Sequence, residues 1–156
     1  MKYVFDSGPL IDLFRHYYRD RFPSLWEKFH ALVLGGELIS VKEVFNEIAS
    51  NDDSLANWAK QQKKELFTES TPEELQFVGE IFKVQHFQVM VSKQKRLKGG
   101  SVADPFVIAR AKILDFQVVT TEAFKDNSAK IPNVCKHFSI PCINLEEFMQ
   151  KEGWTF

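Results

Sequence analysis

Four acidic residues of this sequence lie where apolar runs end or where helical patterns begin. Asp6 directly follows "YVF", Glu122 shortly follows "FQVVT", Glu47 lies in the helical pattern after "LIS", and Asp104 precedes a proline. In parallel sheets, ligands bind beyond the carboxyl ends of the strands, so acids from distant segments can meet there. Grouped carboxylates repel one another unless a cation lies among them. Such oxygen ligands suit Mg²⁺ or Mn²⁺ and favour phosphodiester hydrolysis.

Each acid also has an ordinary structural interpretation, and the sequence leaves these alternatives open. Asp104, before Pro105, is a natural helix N-cap, and Asp6, before a Gly-Pro pair, suits a turn or a cap. Glu47 suits an exposed helix face, and Glu122 suits the positive end of a short helix. Without further information, the group of acids indicates chemistry but does not specify it.

Short apolar runs and helical patterns alternate along the chain. The runs predict strands at 3–5, 38–40, 116–120 and 140–144, each short enough to be buried on both faces. Thr71, Pro72 and Glu74 together predict a helix that begins with a capping box, and Ser40 is predicted to cap another. The alternation predicts a single α/β domain over residues 1–156 with a mainly parallel sheet.

Composition and charge narrow the classes of function. A net charge of −1 over 156 residues gives no general attraction to nucleic acid, so RNA binding would need a local patch or a metal. The two cysteines are too few for a secreted disulfide framework, and no run of 18 apolar residues occurs. We therefore expect a cytoplasmic protein with no membrane partner. The 15 Phe residues are interpreted as a core rather than as a binding surface.

Four segments, "YVFDSGPLIDLF", "LISVKEVFNEI", "ADPFVIARA" and "VVTTEAF", resemble the PIN domain family in their order and spacing. This family comprises metal-dependent ribonucleases best known as toxins of bacterial toxin–antitoxin pairs. The resemblance implies a three-layer α/β/α sandwich with a central sheet of about four to five strands. It also implies Mg²⁺ or Mn²⁺ as cofactor, an RNA substrate, a cognate antitoxin and a homodimer.

Matched residue by residue, the resemblance implies that Asp6, Glu47, Asp104 and Glu122 are the catalytic and metal-binding acids. Two features depart from the family pattern. The fourth acid is Glu rather than the more common Asp, and Glu43 lies one helical turn before Glu47, where it competes for the second role.

Three hydroxyl residues beside these acids are implied to support them. Ser7 follows Asp6, and Thr120 and Thr121 precede Glu122. Hydroxyls in such positions orient metal-binding carboxylates or contact the phosphate.

One segment combines a local excess of positive charge with a place just before Asp104. Between residues 83 and 98 the chain carries five Lys or Arg residues and no acid. Lys93, Lys95, Arg96 and Lys98 are therefore predicted to bind the RNA backbone, with a solvated surface loop as an equally weighted alternative.

Three functions follow from these patterns. A metal-dependent endoribonuclease, the toxin of a toxin–antitoxin system, is the first, and a catalytically inactive PIN-like module that binds RNA or protein is the alternative. A phosphatase with Asp6 as nucleophile ranks lowest, because Gly8 stands where the second acid of such enzymes is expected.

Overall fold

The computed structural model describes residues 2–50, 53–91 and 102–156, and these form an α/β fold around a parallel sheet. The described residues contain five strands in the order β3-β2-β1-β4-β5, and every neighbouring pair is parallel. They are β1 (Tyr3–Phe5), β2 (Leu38–Val41), β3 (Phe67–Thr68), β4 (Gln117–Val119) and β5 (Cys142–Ile143). The predicted fold class is confirmed. The two-residue strand β3 was not predicted.

Helices connect and flank these strands. In chain order the α-helices are α1 (Ser7–His16), α2 (Pro23–Leu34), α3 (Lys42–Ala49), α4 (Ser54–Leu66), α5 (Pro72–Lys83), α6 (Asp104–Leu114), α7 (Ile131–His137) and α8 (Leu145–Lys151). A 3₁₀ helix, Gln85–Val91, follows α5. Within the described ranges, no helix combines the length and the apolar content needed to cross a membrane.

The helix starts test two predictions about capping. The capping box at α5 is confirmed, because Thr71 and Glu74 exchange side-chain and backbone hydrogen bonds. The cap predicted at Ser40 is wrong, because Val41 occupies the N-cap position of α3. Ser40 is instead a buried residue of β2, and its hydroxyl donates to the carbonyl of Phe5 at 2.7 Å. This bond ties β2 to the carboxyl end of β1.

The central strand β1 shows that helices cover both faces of the sheet. Tyr3, Val4 and Phe5 are all fully buried although successive side chains of a strand point to opposite faces. Tyr3 and Phe5 both pack edge-to-face against Phe148 of α8, and Phe5 also contacts Phe29 of α2. Helix α6 packs on β1, β2 and β4. The sheet is therefore the middle layer of a three-layer sandwich.

The strand order defines where a site can form. The chain adds β2 and β3 on one side of β1, then returns to place β4 and β5 on the other side. The connections after β1 and β4 therefore diverge, leaving a crevice at their carboxyl ends. In open parallel sheets this switch point is the usual place for a ligand. Asp6 follows β1 there, and Thr120 to Glu122 follow β4.

Candidate functional site

Asp6 is a buried carboxylate at the centre of this crevice. Its side chain is 6% exposed, and its backbone N–H donates to the carbonyl of Val119 at the end of β4. The hydroxyl of Thr120 donates to Asp6 Oδ2 at 3.0 Å. Asp6 occupies the N-cap position of α1 but its side chain makes no capping hydrogen bond there. Asp6 is therefore an N-cap by its backbone position, and its carboxylate interacts with the Ser7 N–H at the helix start and with the Thr120 hydroxyl.

The surroundings of Asp6 disfavour its charged form. Burial is the largest cause that raises the pKa of Asp6 to about 7, followed by the negative charge of Asp104. Glu122 raises this pKa further, and hydrogen bonds from the Ser7 N–H and the Thr120 hydroxyl lower it in part. Among the ion pairs of the described residues, none includes Asp6. Asp6 is thus a buried acid whose charged neighbours include two other acids.

Glu122 is held by backbone contacts on both of its sides. Its N–H donates to the Thr120 hydroxyl at 3.1 Å, and its Oε2 accepts the N–H of Ile131 at 2.8 Å. Ile131 is the first residue of α7, so Glu122 stabilises the positive end of that helix. The sequence offered a helix start as the alternative role of Glu122. Glu122 has that role at α7, which begins nine residues further along the chain. The Thr120 hydroxyl joins Glu122 to Asp6.

Asp104 and Glu47 approach the crevice from α6 and α3. Asp104 is the first residue of α6, and Ala103 is its N-cap, so the N-cap interpretation of Asp104 is wrong. Glu47 Oε1 accepts the N–H of Ala103 at 3.4 Å, which places its carboxylate beside the start of α6. Glu43 lies one turn earlier on α3, half-buried like Glu47. Both candidates for the second acid therefore lie on α3, and the choice between them stays a prediction.

The side chain of Thr121 packs closely against Gly8 at the start of α1. A Cβ built on Gly8 would lie 2.3 Å from Thr121 Oγ1, so a side chain at position 8 would displace Thr121. Thr120 is buried beneath this contact and Thr121 is exposed. Gly8 therefore allows the segment that carries Thr120 and Glu122 to lie against Asp6.

A model of the family described as "Domain of unknown function (DUF4411)" matches residues 3–156. The chain belongs to the DUF4411 family. The resemblance to PIN domains therefore does not extend to family membership.

A solved structure shares the fold of this DUF4411 chain. It is the crystal structure of VapBC2 from Rickettsia felis bound to a DNA fragment from their promoter, with a TM-score of 0.55 and 11% identity. The match covers 92% of this chain and 98% of that chain. No curated protein matches significantly. At this identity the likeness concerns the fold alone, and the fold is consistent with the PIN-like architecture expected from the sequence.

The donor types of the DUF4411 site are suited to a hard cation. Carboxylate oxygens are ligands that Mg²⁺ and Mn²⁺ prefer. In the described ranges, no group of three or more His, Cys, Asp or Glu side chains stands in a metal-holding arrangement. Asp6, Asp104 and Glu122 are the residues whose carboxylates could hold such an ion.

Two further sets of charged residues complete the comparison with the sequence. Lys93, Lys95, Arg96 and Lys98 lie outside the described residues, so their predicted contact with RNA stays a prediction. A buried ion pair that was not predicted joins Arg110 of α6 to Glu74 of α5, with Nε and Oε1 2.7 Å apart. Its signal was a lone arginine among the apolar residues of "PFVIARAKIL".

Proposed function

We propose that this DUF4411 protein is a metal-dependent endoribonuclease that hydrolyses RNA phosphodiester bonds. The observation that carries the proposal is the convergence of acids from distant segments at the switch point of the sheet. Asp6 follows β1, Glu122 follows β4, and Asp104 begins the helix that packs across both strands. The Thr120 hydroxyl links Asp6 to Glu122, and the charge of Asp104 reaches Asp6.

The proposed catalytic residues have distinct tasks. Asp6, Asp104 and Glu122 hold Mg²⁺ or Mn²⁺, and Glu47 completes the set beside Ala103. The bound cation supplies charge neutralisation at the phosphate and activation of water. The Thr120 hydroxyl orients Asp6 by donating a hydrogen bond to its Oδ2, and the backbone N–H of Ser7 donates a second hydrogen bond to Asp6. Thr121, exposed above Gly8, is placed to contact the phosphate.

The proposed partner is a cognate antitoxin, so that the enzyme is the toxin of a toxin–antitoxin pair. The sequence resemblance and the fold likeness to VapBC2 support this assignment. The surface beside α1 and α2 offers a groove of about 610 Å³ lined by Trp26, His30 and Leu34, and Leu34 is 76% exposed. A Leu34→Glu variant should lose the antitoxin in co-purification. If this face instead joins two copies, the same variant should convert a dimer to a monomer in sedimentation.

An inactive module that binds RNA or protein is the second candidate. It is favoured by the engagement of Glu122 Oε2 with α7. The retention of all four acids at one sheet edge favours the enzyme.

The deciding experiment is incubation of the purified protein with total RNA in Mg²⁺ or Mn²⁺. The proposal predicts discrete cleavage products that disappear with chelator and in the Asp104→Asn variant. Asp115→Asn is the matched control, because Asp115 lies at the other end of α6. Cleavage that survives in Asp104→Asn would contradict the proposed site, and RNA left intact by the wild type would favour the inactive module.

A further inference from the structure

The loop after Glu122 presents a large aromatic ring to solvent. Phe124 is 48% exposed, and Lys136 of α7 places its Nζ 4.8 Å from the centre of the ring. Most other phenylalanines of the described residues lie in or against the core, as the sequence predicts. An exposed ring with a neighbouring ammonium group two residues from a candidate active-site acid is therefore an exception to the core interpretation.

The loop that carries Phe124 is held in place from both sides. Before the ring, Glu122 Oε2 accepts the N–H of Ile131. After it, Asn133 Nδ2 donates to the Lys125 carbonyl at 2.6 Å, and Asn133 Oδ1 accepts the Ser128 hydroxyl at 2.9 Å. Because α7 fixes both ends of the loop, the ring is preorganised, and little ordering entropy is lost when a ligand binds to it.

Phe124 lines two adjoining hollows. One, of about 310 Å³, is lined by Thr120, Thr121 and Glu122 and so adjoins the candidate active site at Glu122. The other, of about 390 Å³, is lined by Asn127, Lys136 and His137. Phe124 therefore connects the hollow at Glu122 to a second hollow that combines aromatic, amide and cationic groups.

The chemistry of this surface suits single-stranded RNA. Bases stack on exposed aromatic rings whatever their sequence, and cations beside the ring contact the phosphates. Glu122 and Glu147 line the first hollow, whereas the described lining of the second hollow contains Lys136, His86 and His137 and no acid. A peptide partner would also use an aromatic ring, but the local excess of positive charge favours a phosphate backbone.

We propose that Phe124 is a stacking platform for a base of single-stranded RNA next to the scissile phosphate, with Lys136 contacting the adjoining phosphate. The assignment of RNA as the ligand of this subsite rests on the proposed function. The subsite adds a binding position for the RNA nucleotide next to the candidate active-site acids. It accounts for the position of the exposed ring beside Glu122 and for the backbone contacts that hold the loop.

The test is binding of a labelled single-stranded RNA of about ten nucleotides in excess chelator, where no cleavage interferes. Phe124→Ala should weaken binding about 5- to 100-fold, and Phe124→Trp should retain it. Phe156→Ala is the matched control, because Phe156 is 57% exposed and follows α8, whose end contacts the amino end of β1 through Glu152 and Tyr3. Lys136→Gln should lower the slope of log affinity against log salt by about 0.7, and Lys28→Gln on α2 should not.

The outcomes separate this proposal from the proposed function. Equal affinities for Phe124→Ala and Phe156→Ala, or no binding by the wild type, would overturn the subsite. In the first case a peptide partner becomes the better occupant of the ring. Binding that depends on Phe124 supports the subsite even if Mn²⁺ yields no cleavage, because that failure concerns the acids. Phe124→Leu, which retains an apolar side chain but no flat ring, should bind as weakly as Phe124→Ala.

Discussion

Two buried charged groups at the same edge of the sheet have opposite surroundings. Glu74 and Arg110 are 1% and 3% exposed, and Asp6 is 6% exposed. Arg110 donates to Glu74, to the carbonyl of Ser40 at 2.7 Å and to the hydroxyl of Thr68 at 2.6 Å. Asp6 has two donors and two repelling carboxylates. The first group is electrostatically complete within the chain, whereas the second is not.

This difference separates a charge surrounded by hydrogen-bond partners from a carboxyl group that lies among like charges. The Arg110 pair joins the ends of β2 and β3 to α5 and α6, and its many hydrogen bonds offset the desolvation of both ions. A buried carboxylate among other carboxylates lowers stability unless a cation joins it. We infer that the first group maintains the scaffold and that the second is retained for binding.

The largest expected effect on stability comes from breaking the Arg110–Glu74 ion pair. Arg110→Ala should lower the free energy of unfolding by about 3 to 5 kcal/mol, because it leaves Glu74 buried without its counter-ion. Urea unfolding measures this. Replacing both partners, with Arg110→Met and Glu74→Leu, should recover much of the loss. A loss below about 1 kcal/mol for Arg110→Ala would show that the pair is not structural.

Replacing Asp6 is expected to raise the free energy of unfolding, whereas replacing Arg110 lowers it. Without metal, Asp6→Asn should raise the free energy of unfolding at about pH 8 by up to about 4 kcal/mol, since the folded pKa is about 7 against a usual 3.8. The folded wild type keeps the Asp6 carboxyl protonated at pH values where the unfolded chain has lost that proton. The stability that this proton contributes to the wild type is full below about pH 4 and is lost as the pH rises through about 7.

Urea unfolding in chelator at both pH values measures this effect, with Asp20→Asn as an exposed control. Near pH 4 the Asp6→Asn variant and the wild type should agree within about 0.5 kcal/mol. If Asp6→Asn were less stable than the wild type at about pH 8, Asp6 would be an ordinary structural residue.

A smaller effect tests the close packing of the Thr121 side chain against Gly8. Gly8→Ala should cost about 1 to 3 kcal/mol of stability, because its Cβ would meet Thr121 Oγ1 at 2.3 Å. Gly79→Ala in α5 is the control, since its Cβ meets nothing within 4 Å, and it should gain about 0.5 to 1 kcal/mol. Thermal unfolding compares them, and adding Thr121→Ala should restore Gly8→Ala. A stabilised Gly8→Ala single variant would argue against the close approach.

The smallest effect concerns one hydroxyl. Thr120→Val removes the donor to Asp6 and the acceptor for the Glu122 N–H, so stability should fall by about 1 kcal/mol. The pKa of Asp6 should rise further, because that donor lowers it. Carbon-detected NMR titration of Asp6 measures the change, and Thr120→Ser should behave as the wild type. An unchanged pKa in Thr120→Val would remove Thr120 from the site.

The sequence predicted the parts of the molecule that local patterns determine. Asp6 and Glu122 were predicted to meet because each follows a buried run, and the structure places them at neighbouring strand ends. The capping box at the start of α5 was predicted from Thr71, Pro72 and Glu74, which lie within four consecutive positions.

The remaining features depend on contacts distant in sequence. Arg110 and Glu74 lie 36 residues apart, so no spacing rule pairs them. Glu122 accepts from Ile131 because α7 begins there, and this seven-residue helix is too short for a periodic pattern. Ser40 was predicted as a cap because serine favours that position, whereas its partner is a carbonyl of another strand.

The most direct test of the central claim is a titration of the RNA-free protein with Mn²⁺ at about pH 8. The electron paramagnetic resonance signal of free Mn²⁺ measures how much of the ion is bound. The account predicts that the wild type removes free Mn²⁺ stoichiometrically and that Asp6→Asn and Asp104→Asn bind it at least about tenfold more weakly. Arg110→Met with Glu74→Leu should bind Mn²⁺ as the wild type does. Equal Mn²⁺ binding by the wild type and both site variants would contradict the claim that Asp6 and Asp104 form a metal site.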